Sequence, residues 1–255
     1  MNKNKFDGNL DTLKNGIFLA TRGGGVRSCV SIGVIRALEE ANIPIKEISG
    51  ESLSSLITAL HVSGYKAEEI LELFLKHNKT ITTAGKIFGG KGSVVIEEIV
   101  NYYTHDIKIK DVNKDFWINA CTGTYNHPEL IIFSKKMTPD VTLGEACRAS
   151  ASLPIVFGKS IQKIYDKEYT LFDGGLLINP YVPKTEYPIV YSSFHNTIDL
   201  NMLIPKFKKT IQPVMDVSDI IIDAPVGKIF IIGSNKDMIK AEKLGYEEAK
   251  KVLKL

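Results

Sequence analysis

Apolar positions along the chain follow two rhythms. Short apolar segments, some unbroken and some interrupted by polar residues, occur at 16–20, 45–49, 116–121, 130–133, 161–165, 169–172, 189–192 and 229–232. Each is strand-sized and rich in Ile, Val and Phe, which predicts buried β-strands. Between the runs the spacing turns helical. Val30, Val34, Ile35, Leu38 and Ala41 share one face, and the pattern stops before Ile43-Pro44, as helices do ahead of proline. The same spacing predicts helices over 53–61, 67–77, 94–103, 143–150 and 238–253. Strands alternating with helices predict an α/β fold: a mainly parallel sheet covered on both faces, three α/β/α layers, with right-handed crossovers.

Composition narrows this picture without naming an activity. The 255 residues contain no internal repeat and no Pro/Gly/Ser-rich linker, so a single domain over 1–255 is expected. The 24% charged residues and 21 Phe and Tyr exclude a disordered chain. The longest apolar stretches, 219–222 and 229–233, fall far short of a membrane span. A net charge of +3 is too weak to argue for nucleic acid. Residues 1–15 are polar and 16–20 is too short for a signal-peptide core, so a cytoplasmic protein is expected. Cys29, Cys121 and Cys147 are widely spaced and read as small buried hydrophobes, not as metal ligands or a disulfide framework. Of 32 cations only Arg22, Arg27, Arg36 and Arg148 are arginines, and each invites the question of what its planar fork holds.

Three short segments could carry chemistry. Gly23-Gly24-Gly25-Val26-Arg27 lies between a predicted strand and helix, where glycines let several backbone N–H groups face an anion. Such a loop serves dinucleotide phosphates or an oxyanion. The dinucleotide pattern breaks at Ser28, although Glu47 stands where an acidic partner is expected. Arg27 opposes the helix dipole, so a hydrogen-bonding structural role is favoured over substrate contact. Gly50-Glu51-Ser52-Leu53-Ser54 also joins a strand to a helix and has the form of a nucleophile elbow with Ser54 in place of the second glycine. Phe172-Asp173-Gly174-Gly175 ends a strand, with Asn179-Pro180 beyond. It reads as a turn or as a carboxylate brought against another site. A serine nucleophile needs a base. Of the five histidines only His195 follows Asp173 in the order of an α/β-hydrolase triad; the alternative is a dyad in which Asp173 meets Ser52 directly.

Taken together, and in this order and spacing, these segments resemble the patatin-like phospholipase family. Residues 33–44, like the family's first helix and its exit, and Arg148-Ala149-Ser150-Ala151-Ser152-Leu153-Pro154, like the segment before its aspartate, extend the resemblance. It covers about 16–182, and more loosely the remainder, including 243–249. The resemblance implies a lipid acyl hydrolase, of phospholipase A type or a non-specific esterase, with a Ser52–Asp173 dyad and neither metal nor other cofactor. It implies an oxyanion hole drawn from Gly23, Gly24, Gly25 and Val26, supported by Arg27, Gly50, Ser54, Gly174 and Gly175. Phospholipid or another acyl-ester lipid is the implied substrate. The departures are Thr21-Arg22 ahead of the glycines, Ser54 for glycine, and Glu51 beside the nucleophile. They keep open a weak or silent lipid-binding member.

Residues 202–209 mix apolar and basic side chains as a transient membrane contact would. The lysines of the last helix, Lys240, Lys243, Lys250, Lys251 and Lys254, fit a solvated face better than a membrane contact.

Overall fold

All five residues of the first strand, β1 (Ile17–Thr21), are buried, which requires cover on both faces of a sheet. The computed structural model describes residues 6–86, 92–124, 127–154, 156–164, 166–175, 180–196 and 212–255. A 3₁₀ turn (Gly25–Ser28) leads into α1 (Cys29–Glu40), followed by β2 (Ile45–Glu51) and α2 (Leu53–Val62). Next come α3 (Ala67–Lys86), α4 (Gly92–Thr104), β3 (Asp115–Thr124), β4 (His127–Phe133) and α5 (Leu143–Ser150). Then follow β5 (Ser160–Ile164), β6 (Lys167–Asp173), β7 (Ile189–Asn196), α6 (Gln212–Val217), β8 (Ile220–Gly227) and α7 (Asn235–Leu253).

The strands form one sheet in the order β5-β6-β3-β2-β1-β7-β8, with β4 paired to β3. β1, β2, β3, β7 and β8 are parallel to their neighbours in that series. The pairings of β4 and β6 with β3, and of β5 with β6, are antiparallel. Alternation along β1 divides the core. Ile17 and Leu19 pack with residues of the large helical layer, including Val34 and Leu38 of α1 and Ile57 of α2. Phe18 and Ala20 face the other way, toward Tyr191, Val214 of α6 and Trp117. The result is the expected three-layer α/β/α arrangement. Strand order reverses at β1, whose neighbours are β2 and β7. The glycine loop follows β1, and Ser52 follows β2, so both lie at carboxyl ends beside that reversal, where open α/β sheets place ligand crevices.

Two expectations needed correction. The run 229–232 is a loop, not a strand; the last strand is β8, nine residues earlier. Ile229 is buried at 3% exposure, whereas Phe230 and Ile232 are 64% and 46% exposed, so apolar content misled where burial was only partial. The second correction is α3, which runs to Lys86 rather than ending at His77. Asn78 interrupts the apolar pattern because its amide is used for tertiary contact, donating to the Gly233 carbonyl at 3.1 Å and to Asn235 Oδ1 at 2.9 Å. Asn179, Tyr165 and the proposed membrane segment 202–209 lie outside the described residues. No described helix is long and apolar enough to cross a membrane. The three cysteines are buried and unpaired, and burial pushes the thiols of Cys121 and Cys147 up to about 12.

Candidate active site

β2 ends at Glu51, and the chain turns into α2 through Ser52 at φ 52 and ψ −132. That left-handed backbone on a non-glycine residue is strained and lifts the side chain out of the turn. Distant segments hold the turn in place. The Ser52 N–H donates to Ser150 Oγ at 2.8 Å, and Ser150 Oγ donates to the Asn119 carbonyl at 2.7 Å. Ser54, fully buried, does more than fill a glycine position. Its hydroxyl accepts from the Glu51 N–H at 3.0 Å and lies 2.8 Å and 3.0 Å from the Glu51 and Thr21 carbonyls. It ties the elbow to the end of β1.

Asp173 ends β6 across the elbow. Ser52 Oγ donates to Asp173 Oδ2 at 2.6 Å, and the Gly175 N–H donates to Oδ1 at 2.8 Å. The segment after α5, whose start is set by a Thr142–Glu145 capping box, clamps the aspartate. The Asp173 and Gly174 amides donate to the Ser152 and Ser150 carbonyls at 2.9 Å and 3.1 Å. Burial pushes the Asp173 carboxyl up from 3.8 to about 6, against the lowering effect of its hydrogen bonds from Ser52 and Gly175. Desolvation outweighs hydrogen bonding here.

The glycine loop borders the same space. The Gly23 amide leans toward Glu51 Oε1 at 3.4 Å, and the Val26 amide donates to the Ile231 carbonyl at 2.9 Å. No acceptor among the described residues faces the amides of Gly24 or Gly25. Gly25 has φ +62, and a Cβ there would overlap the Ile231 carbonyl, so only glycine fits. Arg27 Nε donates to the Gly24 carbonyl at 3.0 Å, and Arg22 donates to the Phe194 carbonyl at 2.6 Å. Both guanidinium groups stack near the Phe194 ring, that of Arg22 at 4.6 Å and that of Arg27 at 4.9 Å from its centroid. These arginines brace the loop. Arg148 pairs with Glu97 at 2.8 Å, and Arg36 with Glu242 at 3.1 Å.

Glu51 is the unusual member. It is 4% exposed, and the Gly23 amide is the hydrogen-bond donor that leans on its Oε1. Burial and then the nearby Asp173 charge push its carboxyl from 4.5 to about 8, against the Gly23 amide, Arg22 and Asn119. It holds its proton at neutral pH.

A pocket of about 620 Å³, counted out to solvent, opens onto Ser52 and Asp173. Phe74, Ile81, Leu153, Phe157, Ile231 and Met238 supply much of its wall, with Asn78 and Thr82 as the other polar side chains. Three of the five histidines, His61, His77 and His195, are engaged elsewhere. His195 Nδ1 lies 2.8 Å from Asp223 Oδ2, and His77 Nε2 lies 2.9 Å from the Tyr103 hydroxyl. Burial, then Lys114 and Lys66, push His61 down to about 3. Among the described residues no group of three His, Cys, Asp or Glu side chains is arranged to hold a metal ion.

Residue patterns thus led to Ser52, Asp173 and the glycine loop, which the fold brings together. They did not single out Ser150, Asn119, Phe194 or the Ile231 carbonyl. Ser150 lay within a recognised segment, but no sequence signal gave it a partner.

A family model described as patatin-like phospholipase matches residues 19–183. Patatin-like phospholipase domain-containing protein 6 of Mus musculus is 38% identical over 69 residues, 27% of this chain and 5% of that protein. Lysophospholipase NTE1 of Mycosarcoma maydis is 51% identical over 45 residues, 18% of this chain and 2% of that protein. The aligned stretches are thus a small fraction of these relatives' length. Among solved structures, VipD from Legionella pneumophila aligns over 94% of this chain and 67% of its own, with a TM-score of 0.59 and 14% identity. ExoU in its SpcU complex from Pseudomonas aeruginosa aligns over 94% and 52%, with a TM-score of 0.56 and 16% identity. At that identity the likeness concerns the fold.

Proposed function

The chain belongs to the patatin-like phospholipase family, and from that premise we propose that it is a lipid acyl hydrolase in which Ser52 and Asp173 form the catalytic dyad. The observation that carries the reading is the 2.6 Å hydrogen bond from Ser52 Oγ to Asp173 Oδ2, at a strained turn facing an apolar pocket. Ser52 Oγ attacks the ester carbonyl while its proton passes to Asp173. The tetrahedral oxyanion is received by the Gly24 and Gly25 amides; Val26, with its amide donated to Ile231, shapes the wall instead. Asp173 then protonates the departing alkoxide, leaving acyl-Ser52. Water attacks this ester with Asp173 again accepting a proton, and the fatty acid and Ser52 are released. The raised affinity of Asp173 for protons, at about 6, makes it a better acceptor than an exposed aspartate.

Glu51 beside the nucleophile favours a second reading, a silent lipid-binding protein, because a carboxylate there would oppose the oxyanion. Its proton, retained up to about 8, removes that opposition at neutral pH. The test is hydrolysis of a fluorogenic phospholipid and a dissolved short acyl ester. Ser52→Ala and Asp173→Asn should each lower kcat by about 10³-fold or more, with His195→Ala close to the parent. A fluorophosphonate should label Ser52. A parent protein that turns over neither ester and takes no label refutes the hydrolase; loss of activity in His195→Ala refutes the dyad.

A further inference from the structure

Residues 229–232, Ile-Phe-Ile-Ile, form an apolar run whose outward half the fold leaves uncovered. Ile229 is buried, but Phe230 is 64% exposed and Ile232 46%. Ile239, next to the pocket-lining Met238, is 48% exposed. This is not a slack segment. The Ile231 carbonyl accepts the Val26 amide at 2.9 Å, and the Gly233 carbonyl accepts from Asn78 of α3 at 3.1 Å. Asn235 Nδ2 donates to the Leu75 carbonyl at 3.0 Å. A segment pinned by two backbone carbonyls and the Asn235 side chain thus holds two large apolar side chains in water, a cost the fold itself does not offset.

We propose that the loop 228–234 and the first turns of α7 form a docking surface for an anionic phospholipid layer, which delivers the lipid to the pocket. The proposal rests on the hydrolase reading for the identity of the pocket's occupant, and three observations favour a lipid layer over a protein. The patch is continuous with the pocket, since Ile231 and Ile232 belong to its wall. A molecule suited to that wall carries an apolar chain, and such molecules in water gather into layers. Lys228, Lys236 and Lys240, within the same stretch of chain as the patch, are exposed. The nearby acid, Asp237, is committed to the α7 cap through Ser234 at 2.8 Å. Apolar side chains flanked by lysines suit acyl chains beneath anionic headgroups. The surface also bears on the site directly, because the Ile231–Val26 hydrogen bond joins the docking loop to the glycine loop.

The test compares the parent with the double variant Phe230→Ser, Ile239→Ser, neither of which lines the pocket. Co-sedimentation uses phosphatidylcholine vesicles with and without phosphatidylglycerol. The parent should partition to the anionic vesicles, and the variant at least about tenfold less, as expected for two apolar side chains withdrawn from burial. Hydrolysis of vesicle phospholipid should fall with it, while turnover of a dissolved short ester stays within about twofold. Equal partition of parent and variant, or none by the parent, overturns the proposal. Self-association of the parent that is lost in the variant, without vesicle binding, would assign the patch to a second copy and overturn it too. If the parent turns over neither ester yet its vesicle binding still depends on these residues, the hydrolase reading fails and the docking surface stands.

Discussion

Replacing Glu51 by glutamine should stabilise the protein increasingly as the pH rises. In the unfolded chain the carboxyl titrates near its ordinary 4.5; in the folded protein burial and Asp173 raise it to about 8. Between those values the unfolded chain has released a proton that the folded protein still holds. Unfolding therefore releases a proton, and stability falls as pH rises, by about 1.4 kcal/mol for each pH unit. The loss is near zero below pH 4.5, about 3 kcal/mol at pH 7, and levels off at about 4–5 kcal/mol above pH 8. Glutamine has the same shape, keeps an oxygen for the Gly23 amide, and does not titrate. Any constant offset from its amide N–H leaves the slope of the difference untouched. The single tryptophan, Trp117, packs 5.7 Å from the Phe18 ring within the sheet, so its fluorescence should follow urea unfolding. With an m-value of about 3 kcal/mol/M, the parent and variant midpoints should diverge by about 1 M between pH 5 and pH 7. A difference in midpoint that stays constant from pH 5 to 8 would refute a proton held on Glu51.

Two further outcomes follow from the same geometry. If Asp173 is the base proposed above, the activity of the parent on a dissolved ester should fall about tenfold per unit below pH 6, because the carboxyl must be ionised to accept a proton and it lies at about 6. An acid limb near pH 4 in the kcat/KM profile would contradict the buried aspartate. Where α1 crosses α7, an added Cβ at Gly33 would overlap the Glu242 carbonyl, and one at Gly245 the Val30 carbonyl. Gly33→Ala and Gly245→Ala should each cost about 2–4 kcal/mol in urea unfolding; unchanged midpoints would mean the helices part freely.

Much of this site was legible as local pattern. The strand–glycine loop–helix and strand–Ser52–helix junctions follow from apolar periodicity broken by glycine, and both turns form where that pattern ends. α1 was readable because a 12-residue helix repeats its burial several times. The run 229–232 is ambiguous in the sequence because four apolar residues in a row describe a strand and a half-exposed loop equally well. The far half of α3 is hidden in the sequence because Asn78 interrupts the apolar pattern, and its partners at Gly233 and Asn235 appear only in the fold.

Sequence alone determined the kinds of group available: a serine at an elbow, an aspartate before two glycines, and glycine amides at a helix mouth. The tertiary structure decided what those groups can do. Ser52 and Asp173 are 121 positions apart, and only the pairing of β6 beside β3 and the Ser150 clamp bring them within hydrogen-bond distance. The Ile231 carbonyl occupies the Val26 amide, whereas no acceptor among the described residues faces those of Gly24 and Gly25. Glu51 reads as an intrusive negative charge in the sequence, whereas in the fold burial and the Asp173 charge favour its neutral form. Proximity and desolvation are sums over segments remote in sequence, so they are absent from any local pattern and appear only when the sheet is assembled.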